Sequence, residues 1–435
     1  MTQPIPTRRM WWIALIAGMA SYIDAAAMTS SGTALVLLKD TLALTPETIG
    51  VLSSALTFSV ALGALVGGRL GDLLGRKTVF LATMVMIALG AVLLVFVEVF
   101  PGLLAGMILV GLGAGADLPV SLATIAEMAR AGLRGSMIGF SHLLWKIGSM
   151  VVLGLATIVG GMGQLGAQIL FGHILVITVL TLVGRLSVPE SARWRAERLA
   201  ERADASSRSD AALGWSTLRT LLQPPFVTYF LALAVFYTLM NLGSNTVSQY
   251  GAYLYTEVAD STVQVYSTVK LITMFLGALL VLVFMKVVAT RWRMAWFVAG
   301  AVCTVVAMCV PLAFGPQVWT LHVMMFLWLV GTVFAGEGIM KIWTQESFPT
   351  LLRSSAQGAI IAIARFGSAA LALVTPIVLA NGPRALFALL AGACLVAVVL
   401  AFAVFSRQRT TVIDEEAADD EAPFVPSSDE ARARG

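Results

Sequence analysis

Charge is scarce in this chain. Of its 435 residues only 12% are charged and 58% are hydrophobic, where a soluble domain carries about 25% charged residues. Spread over the whole length, that balance excludes a water-soluble globular protein and points to a polytopic membrane protein. Cysteine is also sparse: Cys303, Cys309 and Cys394 each lie in an apolar run, with no spacing that suits a disulfide framework or a zinc site. Three histidines, His142, His173 and His322, are too scattered for a metal cluster and read as packing residues. No nucleophile–base pair or metal constellation stands out, so no enzyme activity, metal or cofactor is expected. The glycines near position 113 follow no strand and so do not form a nucleotide loop. The net charge of +4 calls for no nucleic acid, because membrane topology accounts for it.

What the chain has is twelve apolar runs. They cover roughly 11–37, 48–68, 78–98, 102–127, 135–159, 166–187, 226–255, 263–287, 294–314, 318–344, 354–380 and 384–405, each about the 20 residues a bilayer-spanning helix needs. The first run follows Arg8 and Arg9 but is long and lacks a small-residue cleavage site, so it reads as a span, not a signal peptide. Placing both termini in the cytoplasm puts 23 of the 28 lysines and arginines on that side. Only Lys39 and Arg384 then face outside, and Lys146, Lys270 and Arg365 fall within helices. Such an asymmetry is what the positive-inside rule requires, and a missed or extra helix would destroy it. A multi-pass plasma-membrane protein is expected.

Polar sequence is confined to a few places. Pro189 to Pro225 mixes arginines with acids and divides six runs from six. The tail from Ser406 is acidic and poor in hydrophobic residues, and is expected to be disordered. The domains are therefore 1–188, a cytoplasmic linker 189–225, 226–405 and the tail 406–435. The halves repeat. A shift of 219 residues places Glu127, Leu133, Arg134, Ser136, Gly139, Gly148 and Ser149 on Glu346, Leu352, Arg353, Ser355, Gly358, Gly367 and Ser368, with Lys146 on Arg365. Two copies of a six-helix unit are the architecture of alternating-access carriers, with the cargo at the midplane between them.

Between the second and third runs lies Gly68-Arg69-Leu70-Gly71-Asp72-Leu73-Leu74-Gly75-Arg76-Lys77, read as a short polar hinge. Its pattern resembles the loop between helices 2 and 3 of major facilitator superfamily transporters. Pro189-Glu190-Ser191-Ala192-Arg193-Trp194 is similar to the signature after helix 6 of the sugar porters, and Glu346-Ser347-Phe348-Pro349 with Arg353 to their loop 10–11. Gly111, Gly113 and Gly115, with Pro119 and Glu127, resemble their helix 4. The chain departs from the sugar porters at Met107, where they carry an arginine, and at Asn241-Leu242-Gly243-Ser244-Asn245-Thr246, where they carry a glutamine pair. Asp117 before Pro119 looks more like phosphate and metabolite symporters.

The resemblance implies an all-α integral membrane fold of twelve helices in two pseudo-symmetric six-helix bundles, with helices 1, 4, 7 and 10 lining the cavity. Asp24, Asp117 and Glu337 would face it. Charges inside a bilayer cost about 2.5–3.5 kcal/mol each on insertion scales, so these acids are expected to carry the coupling proton, with Lys146 tuning Asp24 and Asp117; the alternative is static ion pairs that fix helix packing. Lys146 and Arg365, equivalent in the two halves, would meet a substrate from two sides or pair with acids of their own halves. Tyr237, Asn241, Asn245 and Gln249 recur at four-residue spacing on one helix face, suited to reading hydroxyl groups. Trp145 and Trp343 could stack on a sugar ring. The resemblance makes Asp72, Arg76, Glu127, Arg134, Glu190, Arg193, Glu346 and Arg353 a cytoplasmic gate that holds the outward-facing state. The expected function is proton-coupled uptake of a sugar or polyol by a monomer in the lipid bilayer. A small organic anion is the alternative cargo; a drug exporter or a non-transporting sensor fits the polar midplane less well.

Overall fold

The computed structural model describes residues 6–96, 99–128, 134–190, 219–288, 290–348, 350–380 and 382–406. Most of the linker, the acidic tail, Arg193, and the side chains of Asp72, Arg134 and Arg353 lie outside the described residues. The described chain is almost wholly helical, with twelve helices long and apolar enough to cross a membrane. They are α1 (Thr7–Leu38), α2 (Pro46–Leu74), α3 (Arg76–Phe96), α4 (Phe100–Met128), α5 (Arg134–Val159), α6 (Gln164–Leu186), α7 (Phe226–Gln249), α8 (Val263–Val287), α9 (Arg293–Phe314), α10, α11 (Thr350–Ala380) and α12 (Pro383–Phe405). The tenth span is in two pieces, α10a (Val318–Ala335) and α10b (Glu337–Ser347).

Local chemistry sets the helix ends. At α2 the Thr45 hydroxyl accepts from the Thr48 N–H at 3.3 Å and Pro46 occupies the first turn, where its missing N–H leaves no bond unmade. Gly75, at φ 97° and ψ 151°, ends α2, a conformation that a Cβ would oppose. The expected ten-residue hinge therefore contracts: helix continues through Leu74 and the turn is Gly75 itself. The run expected to continue from 226 to 255 stops at Gln249, followed by a single turn (Gly251–Tyr253) and a π-helical turn (Leu254–Val258). There the Tyr266 hydroxyl lies 3.4 Å from each of the carbonyls of Val247 and Ser248 and offers its one donor to a helix end. Glycine is what fits the break at position 336, since a Cβ there would strike the Thr332 carbonyl.

The 219-residue repeat extends far beyond the identities that revealed it. Shifted by that amount, α4, α5 and α6 fall on α10, α11 and α12 to within three residues at each end. The packing repeats too. In the first half α1 packs on α5 and α6, α2 on α4, and α3 on α4 and α6; in the second α7 packs on α11 and α12, α8 on α10a, and α9 on α10a and α12. The halves meet along α2 with α11, α5 with α8, and α1 with α7, which is a twofold-related set of seams.

Glycine makes the tightest crossing possible. A Cβ on Gly63, Gly67, Gly111 or Gly115 would run into backbone of the facing helix, so α2 and α4 touch main chain to main chain. This is the close packing expected of the α4 glycines.

Twelve spans place both termini on one face of the molecule. The halves are joined at the opposite face. There Lys39 pairs with Glu257 across the seam, Gln249 donates to the Thr57 hydroxyl at 2.5 Å, Ser54 donates to the Ala369 carbonyl at 2.9 Å, and the Phe58 and Phe366 rings meet edge to face at 5.5 Å. On the face that carries the termini, the ion pairs among the described residues stay within one half: Arg76 with Glu127 at 2.8 Å and Arg293 with Glu346 at 2.5 Å. Glu127 and Glu346 are repeat equivalents, so each half ties the start of its third helix to the end of its fourth. Among the described residues α4 and α5 of one half do not pack closely on α10b and α11 of the other, so the halves are held together at the face opposite the termini and part toward the termini.

Candidate functional site

The parted side leads to a cluster of polar groups at mid-helix depth, contributed by both halves. From α1 comes Asp24, 2% exposed. Its Oδ2 accepts from the Trp145 indole N–H of α5 at 3.2 Å and faces Arg365 Nη2 of α11 at 3.9 Å. Its Oδ1 is buried and has no hydrogen-bond partner. A carboxylate oxygen left so is costly unless something visits it.

On α5, His142, Trp145, Lys146 and Ser149 form one stripe at helical spacing. Trp145 is 39% exposed although it reaches a buried acid, which places its ring on the wall of the opening. Across from the stripe, α10b begins with Glu337. It is bonded to Lys341 one turn on at 2.6 Å and lies within electrostatic reach of His142 and Arg365. Lys146 lies within reach of Glu337 and Lys341. The break at Gly336 puts Glu337 on the first turn of a helix, where the backbone dipole favours a negative charge. From α7, Tyr237 stands beside Glu337, Arg365 and Asn241, and the Asn241 Oδ1 accepts from the Ser368 hydroxyl at 2.8 Å.

The two equivalent cations thus look across the seam. Arg365 of the second half meets Asp24 of the first, whereas Glu337 binds Lys341 of its own half and Lys146 lies only within electrostatic reach of it.

Several expected site residues lie elsewhere. Asp117 does not face the opening, and Lys146 does not tune it. Both Asp117 and Arg185 of α6 are fully buried within the first half. The guanidinium of Arg185 binds both carboxylate oxygens and the Phe80 carbonyl, and lies 4.2 Å over the Phe80 ring, while Thr83 donates to Oδ1 at 3.0 Å. The physical reason is rotation: Asp117 projects from the α4 face that packs on α3 and α6. Trp343 is equally remote, stacked on Phe405 at 4.5 Å and ringed by Phe236 and Phe297. Gln249 belongs to the closed face, donating to Thr57 and, at 3.4 Å, to the Oδ1 of Asn245 one turn before it. The α7 stripe therefore splits, with Tyr237 and Asn241 at the opening and Asn245 and Gln249 toward the closure.

Of the expected gate, Arg76 with Glu127 and Glu346 with Arg293 form the pairs described above. Glu190 accepts from the backbone N–H groups of Arg76 at 3.0 Å and Lys77 at 3.2 Å, capping the start of α3. Asp72, Arg134, Arg193 and Arg353 lie outside the described residues or side chains. Three groups escaped the sequence reading: His142 as packing, Lys341 as a topological cation, and Arg185 grouped with the linker. The available signal for the last was position, since Arg185 falls inside the sixth apolar run, 166–187.

A twelve-helix bundle of two repeated halves, parted at one face over a shared polar cluster, defines a membrane carrier. The chain belongs to the major facilitator superfamily, whose family model matches residues 10–370. It is 32% identical over 382 residues to the minor myo-inositol transporter IolF of Bacillus subtilis (strain 168), covering 84% of each chain. It is 27% identical over 394 residues to the inner membrane metabolite transport protein YgcS of Escherichia coli (strain K12), covering 85% of each. Among solved structures, a D-xylose-proton symporter matches with a TM-score of 0.74 at 15% identity, over 92% of this chain and 98% of that one, a likeness of fold. These are transporters and not enzymes, and the protein is a multi-pass membrane transporter.

Proposed function

We propose that the protein takes up a small hydroxyl-rich metabolite of the sugar or polyol class together with protons, by alternating access. The observation that carries this reading is Asp24: a buried carboxylate at the seam, with one oxygen held by Trp145 and opposed by Arg365 and the other without a partner. While ionised, Asp24 draws Arg365 and so ties α1 to α11. Protonation cancels that attraction and frees the halves to rock about the seams, the move alternating access requires. Tyr237, Asn241 and the edge of Trp145 offer the hydroxyl-reading groups and the flat ring that a sugar or polyol suits. The inositol transporter among the relatives supports the same class.

The bias of lysine and arginine toward the face of the termini supports reading that face as the cytoplasmic one of a plasma membrane. The arrangement is then inward-facing, and the contacts around Gln249, Thr57 and Lys39 are the external gate. The halves 1–188 and 226–405 are the moving bodies, joined by 189–225.

The test is uptake of labelled myo-inositol and a sugar panel into proteoliposomes with an imposed pH gradient, for wild type and Asp24→Asn. Accumulation that collapses with the gradient and is lost in the variant supports the reading. Equal accumulation by Asp24→Asn removes Asp24 from coupling, and flux indifferent to the gradient makes the protein a facilitator.

A further inference from the structure

The charges around the opening do not balance. Asp24 faces Arg365, and Glu337 is bonded to Lys341. Lys146 remains, and among the described residues it makes no ion pair. The other described groups that face this cluster are Tyr237 and Asn241 on α7 and Ser368 on α11, which carry no charge, and His142 on α5, an imidazole whose ordinary pKa of about 6.5 can only add positive charge. The elements packed around it add nothing to offset the excess. The span of α2 has no charged residue between Glu47 and Arg69, the Asp117 of α4 is consumed by Arg185, and Lys270 of α8 has no charged neighbour. Among the described residues the opening therefore holds two acids and three cations, a surplus of one positive charge.

We infer that the cargo carries a single negative charge besides its hydroxyl groups: a small polyhydroxy carboxylate, held by Lys146. This rests on the proposed uptake of a hydroxyl-rich metabolite and narrows its class. Lys146 shares the α5 stripe with Trp145 and lies within electrostatic reach of Glu337 and Lys341 across the opening, on the side where a cargo's acidic end would meet it. Arg365 lies on the other side of Asp24, from the opposite half, and both cations are the repeat-equivalent pair.

The charge count also bears on energetics. An empty opening carries +1. Binding one proton at Asp24 and one monoanion leaves +1, so the loaded and empty forms move the same charge through the membrane field. A neutral cargo with a proton would leave +2, and its uptake would respond to membrane potential. A cavity with surplus positive charge also binds an anion more readily once a carboxylate is protonated, which makes proton and anion bind together, as a symporter needs.

The experiment uses the full chain in proteoliposomes with labelled D-glucuronate and labelled myo-inositol as probes. An imposed pH gradient and a valinomycin-clamped potassium potential are varied separately. The expected result is that glucuronate is accumulated in preference to inositol, is driven by the pH gradient, and is indifferent to the potential. In Lys146→Gln the preference falls about tenfold or more, the factor for a lost charge-assisted hydrogen bond, and Lys146→Arg restores part of it. Inositol uptake with no glucuronate uptake or competition overturns the charge assignment and leaves the polyol reading standing, as does a preference unchanged in Lys146→Gln. Failure of wild type to move either probe overturns both readings.

Discussion

Asp117 and Arg185 clasp one another through two parallel bonds, Nη1 to Oδ1 at 2.5 Å and Nη2 to Oδ2 at 2.6 Å, with both side chains sealed inside the first half. The pair joins α4 to α6, and Thr83 adds α3. Removing one partner of such a pair strands a buried charge, which costs about 3–5 kcal/mol, whereas replacing both with apolar residues is often neutral or stabilising. Asp117→Asn should therefore lower the thermal unfolding temperature of the detergent-solubilised protein steeply. Asp117→Leu with Arg185→Met should recover most of the loss. The molecules of either variant that remain folded should still accumulate cargo against a gradient. Loss of gradient-driven uptake in a well-folded double variant would return Asp117 to the transport cycle.

That pair also marks where the sequence stopped being informative. The number of spans and the repeat were legible because run length, cation placement and the 219-residue register are properties of position along the chain, whereas the stops at Gly75 and Gln249 and the break at Gly336 were not. Rotation about a helix axis is not. A helix that is apolar on every side has no amphipathic stripe to say which face looks inward, so Asp117 on α4 and Asp24 on α1 were indistinguishable as cavity acids. Arg185 and Lys341, near the ends of their runs, looked like topological anchors because membrane-end cations usually are. The division of the α7 stripe between Asn241 and Asn245 depends on which helices cross it, which is long-range information. The cross-seam pairing of Arg365 with Asp24 depends on how the two halves dock.

The α2–α4 crossing separates glycines that matter from those that do not. A Cβ on Gly115 would meet the Val60 backbone, which cannot rotate away, while one on Gly154 of α5 meets nothing within 4 Å. Gly115→Ala should destabilise by about 1–3 kcal/mol, the usual penalty of overpacking. Gly154→Ala should be neutral or gain up to about 1 kcal/mol from the better helix former. Paired thermal unfolding curves of the two variants measure the difference, and equal shifts would contradict the main-chain contact.

Lys39 and Glu257 close the face opposite the termini, with side chains 26% and 28% exposed. An ion pair that wet contributes about 1 kcal/mol at most. Glu257→Gln should therefore shift the balance toward opening at that face by no more than about fivefold, 1 kcal/mol at this temperature, and added salt should mimic it. Lys39→Gln combined with Glu257→Gln should do no more than either alone. The hydrogen bond to Glu257 raises the Lys39 pKa above its ordinary 10.5. A raised lysine keeps its contribution at all lower pH and loses it only as pH climbs through the raised value. Lys39 titration thus leaves transport between pH 5 and 8 unaffected. Labelling of a cysteine placed near Asn245 reports the opening directly.

Trp145 offers the sharpest probe of the candidate site, because one substitution removes a hydrogen bond and keeps a ring. The indole N–H donates to Asp24 Oδ2 at 3.2 Å, and that bond favours the ionised carboxylate. In Trp145→Phe the donor is gone while a flat apolar face remains. A charge-assisted hydrogen bond contributes about 1.5–3 kcal/mol, so gradient-driven uptake should fall about tenfold or more while cargo affinity is kept. A loss of affinity with gradient-driven accumulation intact would mean that the indole serves the cargo alone. A loss of accumulation that adds nothing to the loss in the Asp24→Asn background would tie the indole to coupling through Asp24.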